Sequence, residues 1–302
     1  MSEYLPDRRD FLRAGAVGTL TALGFSTIGH GADARGKVFV RRDIASLSPD
    51  GPEMAAFRRG VRVMKSRPDS DPTSWNFQAN IHGSNDKPAH AIWNTCQHGN
   101  YFFAPWHRMH NYFFERILRA ASGDPDFAVP YWNYINPATR SLPLAFRQPA
   151  DESNALYVAQ RNPTYGGINN GAQLPACAAA TVWVPFSFTN YIASDTSWFG
   201  FGGQASKAAH FGDPHGALET YHDVMHVLTG GSTGWMNDPN LAARDPIYWL
   251  HHNNVDRLWN RWLNLGGGRQ NPTSNDAWMN KKFTFFDEHG KPVKMAVREC
   301  LD

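Results

Sequence analysis

"CQHGNYFFAPWHRMHNYFFE", residues 96–115, places His98, His107, His110 and Cys96 among seven aromatic side chains. Histidine is seldom a core residue, so a segment this apolar leaves two readings. These are core histidines, each satisfied by one hydrogen bond, or they converge on something that binds imidazole. Pro105 is favoured at a first helical position, which predicts a helix from there to about Ser122, where "GDPD" breaks it. His107 then falls in the first turn of that helix.

The segments on either side also read as helices. Residues 52–66, "PEMAAFRRGVRVMKS", carry Met54, Phe57, Val61 and Met64 at helical spacing. "SWNFQANIHG" (74–83) is a short helix terminated by Gly83. "LETYHDVMHVLTGG" (218–231) ends in glycines, as helix C-termini often do. "RDPIYWLHHNNVDRLWNRWLNLGGG" (244–268) starts with Asp245 as N-cap and Pro246 behind it, and stops at Gly266. From about 136 to 217 the chain is rich in Pro, Gly, Asn and Ser, and so long an irregular stretch inside a domain is usually functional. "KKFTFFDEHGKPVKMAVREC" (281–300) alternates, which predicts a β-hairpin turning at His289-Gly290. No repeat or linker divides the chain. The expected fold is mainly α: a helical bundle with long loops and a small C-terminal β-hairpin.

A hydrophobic content of 42% with 19% charged residues fits a soluble domain with a sizeable core. The formal charge of +2 gives no reason to expect nucleic acid or a membrane surface as partner. Residues 7–34, "DRRDFLRAGAVGTLTALGFSTIGHGADA", hold the pair Arg8-Arg9 and a short, glycine-rich apolar run. They end in the small-x-small pattern Ala32-Asp33-Ala34. Residues 1–34 thus look like a twin-arginine export signal, implying a bacterial source and a periplasmic or secreted protein with no membrane contact after its removal. That route carries folded proteins and suits one that takes up a cofactor first. The rest, 35–302, is read as one domain. Removing 1–34 takes away three arginines and four acids, moving the net charge to +3. Three cysteines, at 96, 177 and 300, are an odd number for an exported protein, so at least one is unpaired or chemically engaged. Cys177 and Cys300 could pair in an oxidising compartment; Cys96, two residues from His98, is the odd one.

On a helix, residues four apart share a face, so His222 and His226 can point at one metal ion. Of His251 and His252 only one can face the same point, and Asp256, one turn beyond His252, could orient its ring. His82, His98 and His107 form a second trio. Imidazole suits zinc, copper, iron or nickel, and a set without carboxylates leans away from harder metals. A zinc peptidase is a rival, since His222-Asp223-Val224-Met225-His226 mimics the H-E-x-x-H pattern with Asp in place of Glu. It leaves the trio at 82, 98 and 107 unexplained.

The blocks "NTCQHGNYFFAPWHRMHNYFFE" (94–115) and "DPIYWLHHNNVDRLWNRW" (245–262) resemble the two copper-binding signatures of the tyrosinase, catechol oxidase and haemocyanin family. The sixteen-residue step from His82 to His98 and the nine-residue step to His107 match the first signature; His222, His226 and His252 match the second, leaving His251 as a neighbour. The resemblance runs from about residue 50 to the C-terminus, where residues 283–302 are similar to the end of the central domain in plant polyphenol oxidases. It implies a four-helix-bundle core holding a dinuclear type-3 copper centre, with two copper ions and O2 as co-substrate. The implied reaction oxidises phenolic small molecules, o-diphenols to o-quinones, and in tyrosinases also hydroxylates monophenols. Cys96-Gln97-His98 resembles the fungal members, in which this cysteine forms a thioether with the ligand histidine. Glu219 resembles the fungal acid that positions a water beside the copper pair; a solvated first-turn glutamate stabilised by the helix dipole is the plainer reading.

Two positions depart from the family pattern. Asp223 stands where many tyrosinases have Asn, and is expected either to help deprotonate the phenol, with Glu219, or to fix a neighbouring imidazole or Arg. Tyr248 stands where the family usually has a Phe gating the copper, and its hydroxyl is expected to bond a substrate or narrow the entrance. "PYWNY" at 130–134 also differs, with no role assigned. The chain stops where larger relatives begin a C-terminal lid domain, so the expectation is an enzyme active as made, or one whose copper is delivered or shielded by a separate protein. Competing functions are an o-aminophenol oxidase, a haemocyanin-like O2 carrier and the zinc peptidase.

Overall fold

The computed structural model of the chain describes residues 37–175, 177–178, 184–185, 188–206 and 215–301. The export signal expected at 1–34 lies outside them, as does the side chain of Cys177; Cys300 is a buried thiol in no disulfide. Phe39–Asp302 make up one compact unit.

Seven α-helices occur among the described residues: α1 (Pro52–Lys65), α2 (Trp75–His82), α3 (Phe103–Ser122), α4 (Trp198–Gly202), α5 (Ala217–Gly230), α6 (Ile247–Asn264) and α7 (Asp276–Asn280). Two antiparallel pairs accompany them, β1 (Cys177–Ala178) with β2 (Val184–Pro185) and β3 (Lys282–Phe286) with β4 (Pro292–Ala296). The C-terminal hairpin is in the expected place, pairing Lys282 with Ala296 and Phe286 with Pro292. Phe285 of β3 is fully buried and stacks on Phe113 of α3 at 5.4 Å, which fixes the hairpin against the bundle.

Helix α1 starts at Pro52, where a missing N–H costs nothing, and buries Met54, Phe57, Val61 and Met64 on one face. Its Gly60 allows close approach to α3, since a Cβ there would meet the Leu118 side chain at 2.8 Å and the Leu118 carbonyl at 3.0 Å. Helix α2 is capped by Ser74, whose hydroxyl accepts from the Phe77 N–H at 3.1 Å, and stops at Gly83. The start of α3 differs from expectation. It begins at Phe103, because Asn100 turns the chain by accepting from the Phe102 N–H at 2.7 Å. Pro105 is therefore the third helical residue, still tolerated because first-turn N–H groups have no intrahelical acceptor. His107 consequently sits beyond the first turn.

The segment expected to be irregular, 136–217, is punctuated by 3-10 turns at Pro137–Thr139, Leu144–Phe146, Thr164–Gly166 and Ile168–Asn170, and by α4. Arg161 anchors it. Its guanidinium makes two bonds to the Asp245 carboxylate, 2.8 and 2.7 Å, and others to the Phe146 and Leu156 carbonyls. Both side chains are wholly buried. Asp245 also accepts from the Ile247 N–H at 3.1 Å, so it caps α6 through its side chain while Pro246 holds the formal cap position. One carboxylate thus sets both the start of the histidine-bearing α6 and the path of the long segment. No helix among the described residues is long and apolar enough to cross a membrane.

Candidate metal centre

Five of the six histidines predicted to converge lie on helices. His82 closes α2, His107 sits beyond the first turn of α3, His222 and His226 lie one turn apart on α5, and His252 is on α6. His98 lies in the loop before α3. All six rings gather in one place. Within the first trio the ring centres are 5.3 Å (His82–His98), 5.0 Å (His98–His107) and 5.6 Å (His82–His107) apart. Within the second they are 4.4 Å (His222–His226), 4.8 Å (His222–His252) and 5.8 Å (His226–His252). The trios abut: His107 stacks on His252 at 4.4 Å, and His98 lies 5.7 Å from His222.

The hydrogen bonds of the rings decide which nitrogen faces inward. His82 Nδ1 bonds the Pro239 carbonyl at 3.0 Å, His107 Nδ1 the Phe103 carbonyl at 2.8 Å, and His226 Nδ1 the Met236 carbonyl at 2.6 Å. His222 Nδ1 bonds the Asp223 carboxylate at 2.8 Å. A carbonyl oxygen only accepts, so each of the first three Nδ1 atoms must carry the proton and Nε2 the lone pair. An ionised Asp223 imposes the same tautomer on His222. The Nε2 atoms of His107 and His226 are buried with no hydrogen-bond partner. His222 Nε2 and His252 Nε2 face one another at 3.2 Å. Two nitrogens bound to one tetrahedral ion at about 2.0 Å would be roughly 3.3 Å apart. Burial lowers the pKa of His107, His222 and His252 far below the ordinary value and that of His226 to about 4, which keeps the rings in the neutral, ligating form. Four oriented imidazoles, buried lone pairs and no carboxylate among the facing atoms fit soft or borderline metal ions.

Cys96 is buried, with its Sγ and ring nitrogens of His82 and His98 all within 4.8 Å of one another. Glu219 is 1% exposed, which overturns its reading as a solvated first-turn residue. Its carboxylate accepts from the Gly99 N–H at 2.7 Å and the His215 N–H at 3.0 Å, tying the His98 loop to the start of α5. Burial outweighs these bonds and pushes its pKa up to about 8. Asp223 takes up the imidazole-fixing geometry toward His222, and its side chain is 38% exposed. Tyr248 does not sit at an entrance. It is fully buried, its ring lies 5.1 Å from His82 and 4.3 Å from His252, and its hydroxyl lies 3.5 Å from His110 Nδ1.

Asp256 does not orient His252. It pairs instead with Arg108 and, at 3.1 Å, with Arg41, because α6 turns that face toward α3 and the arm before α1. His110, one of the three histidines in the decisive stretch, is a core residue whose Nε2 bonds the Gln78 carbonyl at 3.1 Å. Sequence reasoning missed Tyr134, whose hydroxyl lies 2.9 Å from His251 Nδ1, and the three carbonyls that set the tautomers. The Phe103 carbonyl is readable from the i, i−4 step once the helix start is known. Those of Met236, in a 3-10 turn at Trp235–Asn237, and Pro239 lie in the connection between α5 and α6, with no sequence signal.

Residues 72–265 match a family model described as the common central domain of tyrosinase, and residues 273–302 match the polyphenol oxidase middle domain. Among known proteins, a tyrosinase from Hahella sp. (strain CCB-MM4) is 34% identical over 86% of this chain and 60% of its own length. The chloroplastic polyphenol oxidase of Malus domestica is 32% identical over 82% of this chain and 44% of its own length. The chain therefore spans about half the length of these relatives. A solved structure of Grenache (Vitis vinifera) polyphenol oxidase superposes with a TM-score of 0.74 at 28% identity, covering 96% of this chain and 90% of that one.

Proposed function

This chain belongs to the tyrosinase family, and on that basis we propose that it is a type-3 copper oxidoreductase that uses O2 to oxidise o-diphenols to o-quinones. The observation that carries the reading is the set of Nδ1 bonds that turns Nε2 lone pairs of both trios inward. His82, His98 and His107 would hold one copper ion and His222, His226 and His252 the other. The bound pair would supply the binding and two-electron reduction of O2. The protein contributes neutral nitrogen donors, compatible with both copper oxidation states, and a wall of rings that excludes water. Phe103, 4.7 Å from both His107 and His222, is part of that wall.

A phenol must lose its proton to become a good ligand. We assign that proton to Asp223, partly exposed beside the site, with Glu219 holding the His98 loop and a water in place. The assignment fails if Asp223→Ala leaves turnover of mono- and diphenols unchanged. Cys96 is assigned a thioether to His98, formed by loss of the thiol S–H and a ring C–H in a two-electron oxidation with O2 as acceptor, which would limit the motion of the loop-borne ligand. Hydroxylation of monophenols and oxidation of o-aminophenols are the finer alternatives for the same centre. Oxygen uptake by the copper-loaded protein with tyrosine, a catechol and an o-aminophenol in parallel separates them, and no uptake with any of the three would leave an O2 carrier as the better reading. Residues 1–34 are proposed to direct export by the twin-arginine route, ahead of a single copper-binding domain at 35–302. Loss of export on replacing Arg8-Arg9 by lysines is the check. A copper-delivery or shielding partner is proposed on the same basis, and unaided uptake of copper into a fully active enzyme would remove the need for it.

A further inference from the structure

Asn254, Arg257 and Arg261 stand at i, i+3 and i+7 on α6, so they share one face of the helix, and it is not that of His252. Both arginines are half-buried. The Arg257 guanidinium lies 4.8 Å over the Tyr131 ring, and that of Arg261 lies 4.0 Å over the Phe188 ring. Among the described residues neither forms an ion pair. Asp256, next to Arg257 in the chain, is held by Arg108 and Arg41 on another face. The three arginines of α3 differ in this respect, since Arg108, Arg116 and Arg119 each meet a carboxylate. Arg257 gives one N–H to Asn254 Oδ1 at 3.3 Å, and the Arg261 guanidinium donates to no protein acceptor among the described residues. Most of the N–H groups of the two forks, five on each, are therefore left for water or a ligand. Burial, and after it the charge of Arg257, lowers the pKa of Arg261, so the two cations repel one another across a partly dry surface.

We propose that Arg257 and Arg261 form a binding site for a phosphate group, either the free anion or a monoester carried by a small molecule. Stacking on Tyr131 and Phe188 already restrains both side chains, so little of their freedom is lost on binding. Each planar fork offers two parallel N–H bonds to phosphate oxygens, and the tetrahedral anion has oxygens enough for both forks. The bound charge also removes the repulsion between the two cations.

The test is calorimetric titration of the copper-loaded protein with inorganic phosphate at about 0.15 M NaCl, where weak surface attraction is screened. The wild type is expected to bind one phosphate per chain. Arg257→Gln and Arg261→Gln should each weaken that binding at least about tenfold and leave catechol-driven oxygen uptake unchanged. Replacing both arginines by lysine keeps the two charges but loses the forks and the stacking, and should also weaken binding. Glycerol phosphate separates the two sources. Binding as tight as that of inorganic phosphate identifies a group carried by a larger molecule, and failure to bind identifies the free anion. No binding of inorganic phosphate by the wild type overturns the proposal, as does wild-type affinity in either glutamine variant. Undiminished binding by the lysine pair also overturns it, because the site would then be a general charge effect only. The same titration runs on the metal-free chain, so this inference and the copper reading fail separately.

Discussion

The two halves of the centre are built on different scaffolds. His222, His226 and His252 come from two helices, and an i, i+4 step on α5 is enough to aim the first two at one point. The first trio comes from a helix end, a loop and a helix, and helix geometry does not place His98. That loop is pinned from outside. Asn100 donates to the His98 carbonyl at 2.9 Å, Ser206 donates to the Gly99 carbonyl, and Glu219 takes the Gly99 N–H. The second half is thus a product of periodicity, whereas the first depends on buried polar groups that each need a partner. A mutation can therefore damage the first half without touching a ligand.

The comparison can be broken most completely at the ligands. His107→Ala and His226→Ala remove one inward lone pair from each half. Both should cut catechol-driven oxygen uptake by more than the roughly 10–100-fold typical of losing an outer hydrogen-bond partner. Next in size is the shared anchor: Arg161→Ala leaves the Asp245 carboxylate buried and uncompensated. It should lower stability by about 3–5 kcal/mol in denaturant unfolding.

Glu219 sharpens the contrast between the halves. Its pKa is raised from 4.5 to about 8 in the folded state, so between those values the unfolded chain has already lost a proton that the folded chain keeps. This contribution to stability is present below about 4.5 and is lost as pH rises toward 8. Below about 6.5 the buried neutral histidines impose the opposite slope, so in metal-free wild type the Glu219 contribution should show as a fall in stability between about 7 and 8, and Glu219→Gln should flatten that fall and lower copper retention at the first position more than at the second. The smallest effect is expected at Tyr248. Its hydroxyl makes only a 3.5 Å contact with His110, so Tyr248→Phe should change stability and turnover by no more than about 0.5 kcal/mol.

The helices and the hairpin were legible because apolar spacing and end signals such as Ser74 and Gly83 are local. The six histidines were legible as two groups, from the i, i+4 pair and from the resemblance. What stayed hidden depends on contacts distant in sequence. Asp256 looked like a partner for His252 by helical spacing alone, yet Arg108 and Arg41 claim it from other elements. Glu219 looked solvated by position, and is buried because the His98 loop folds over it. Tyr134, in the stretch with no assigned role, reaches His251 from 117 residues away. Pro105 misplaced the start of α3 by two residues, and with it the turn that supplies the Phe103 carbonyl to His107.

Counting copper in the loaded chain tests the central claim most directly. Two ions per chain in the wild type, falling to one in each of His107→Ala and His226→Ala, is the expected result. A single ion in the wild type, or two retained in both variants, would mean that the six rings do not hold a metal pair.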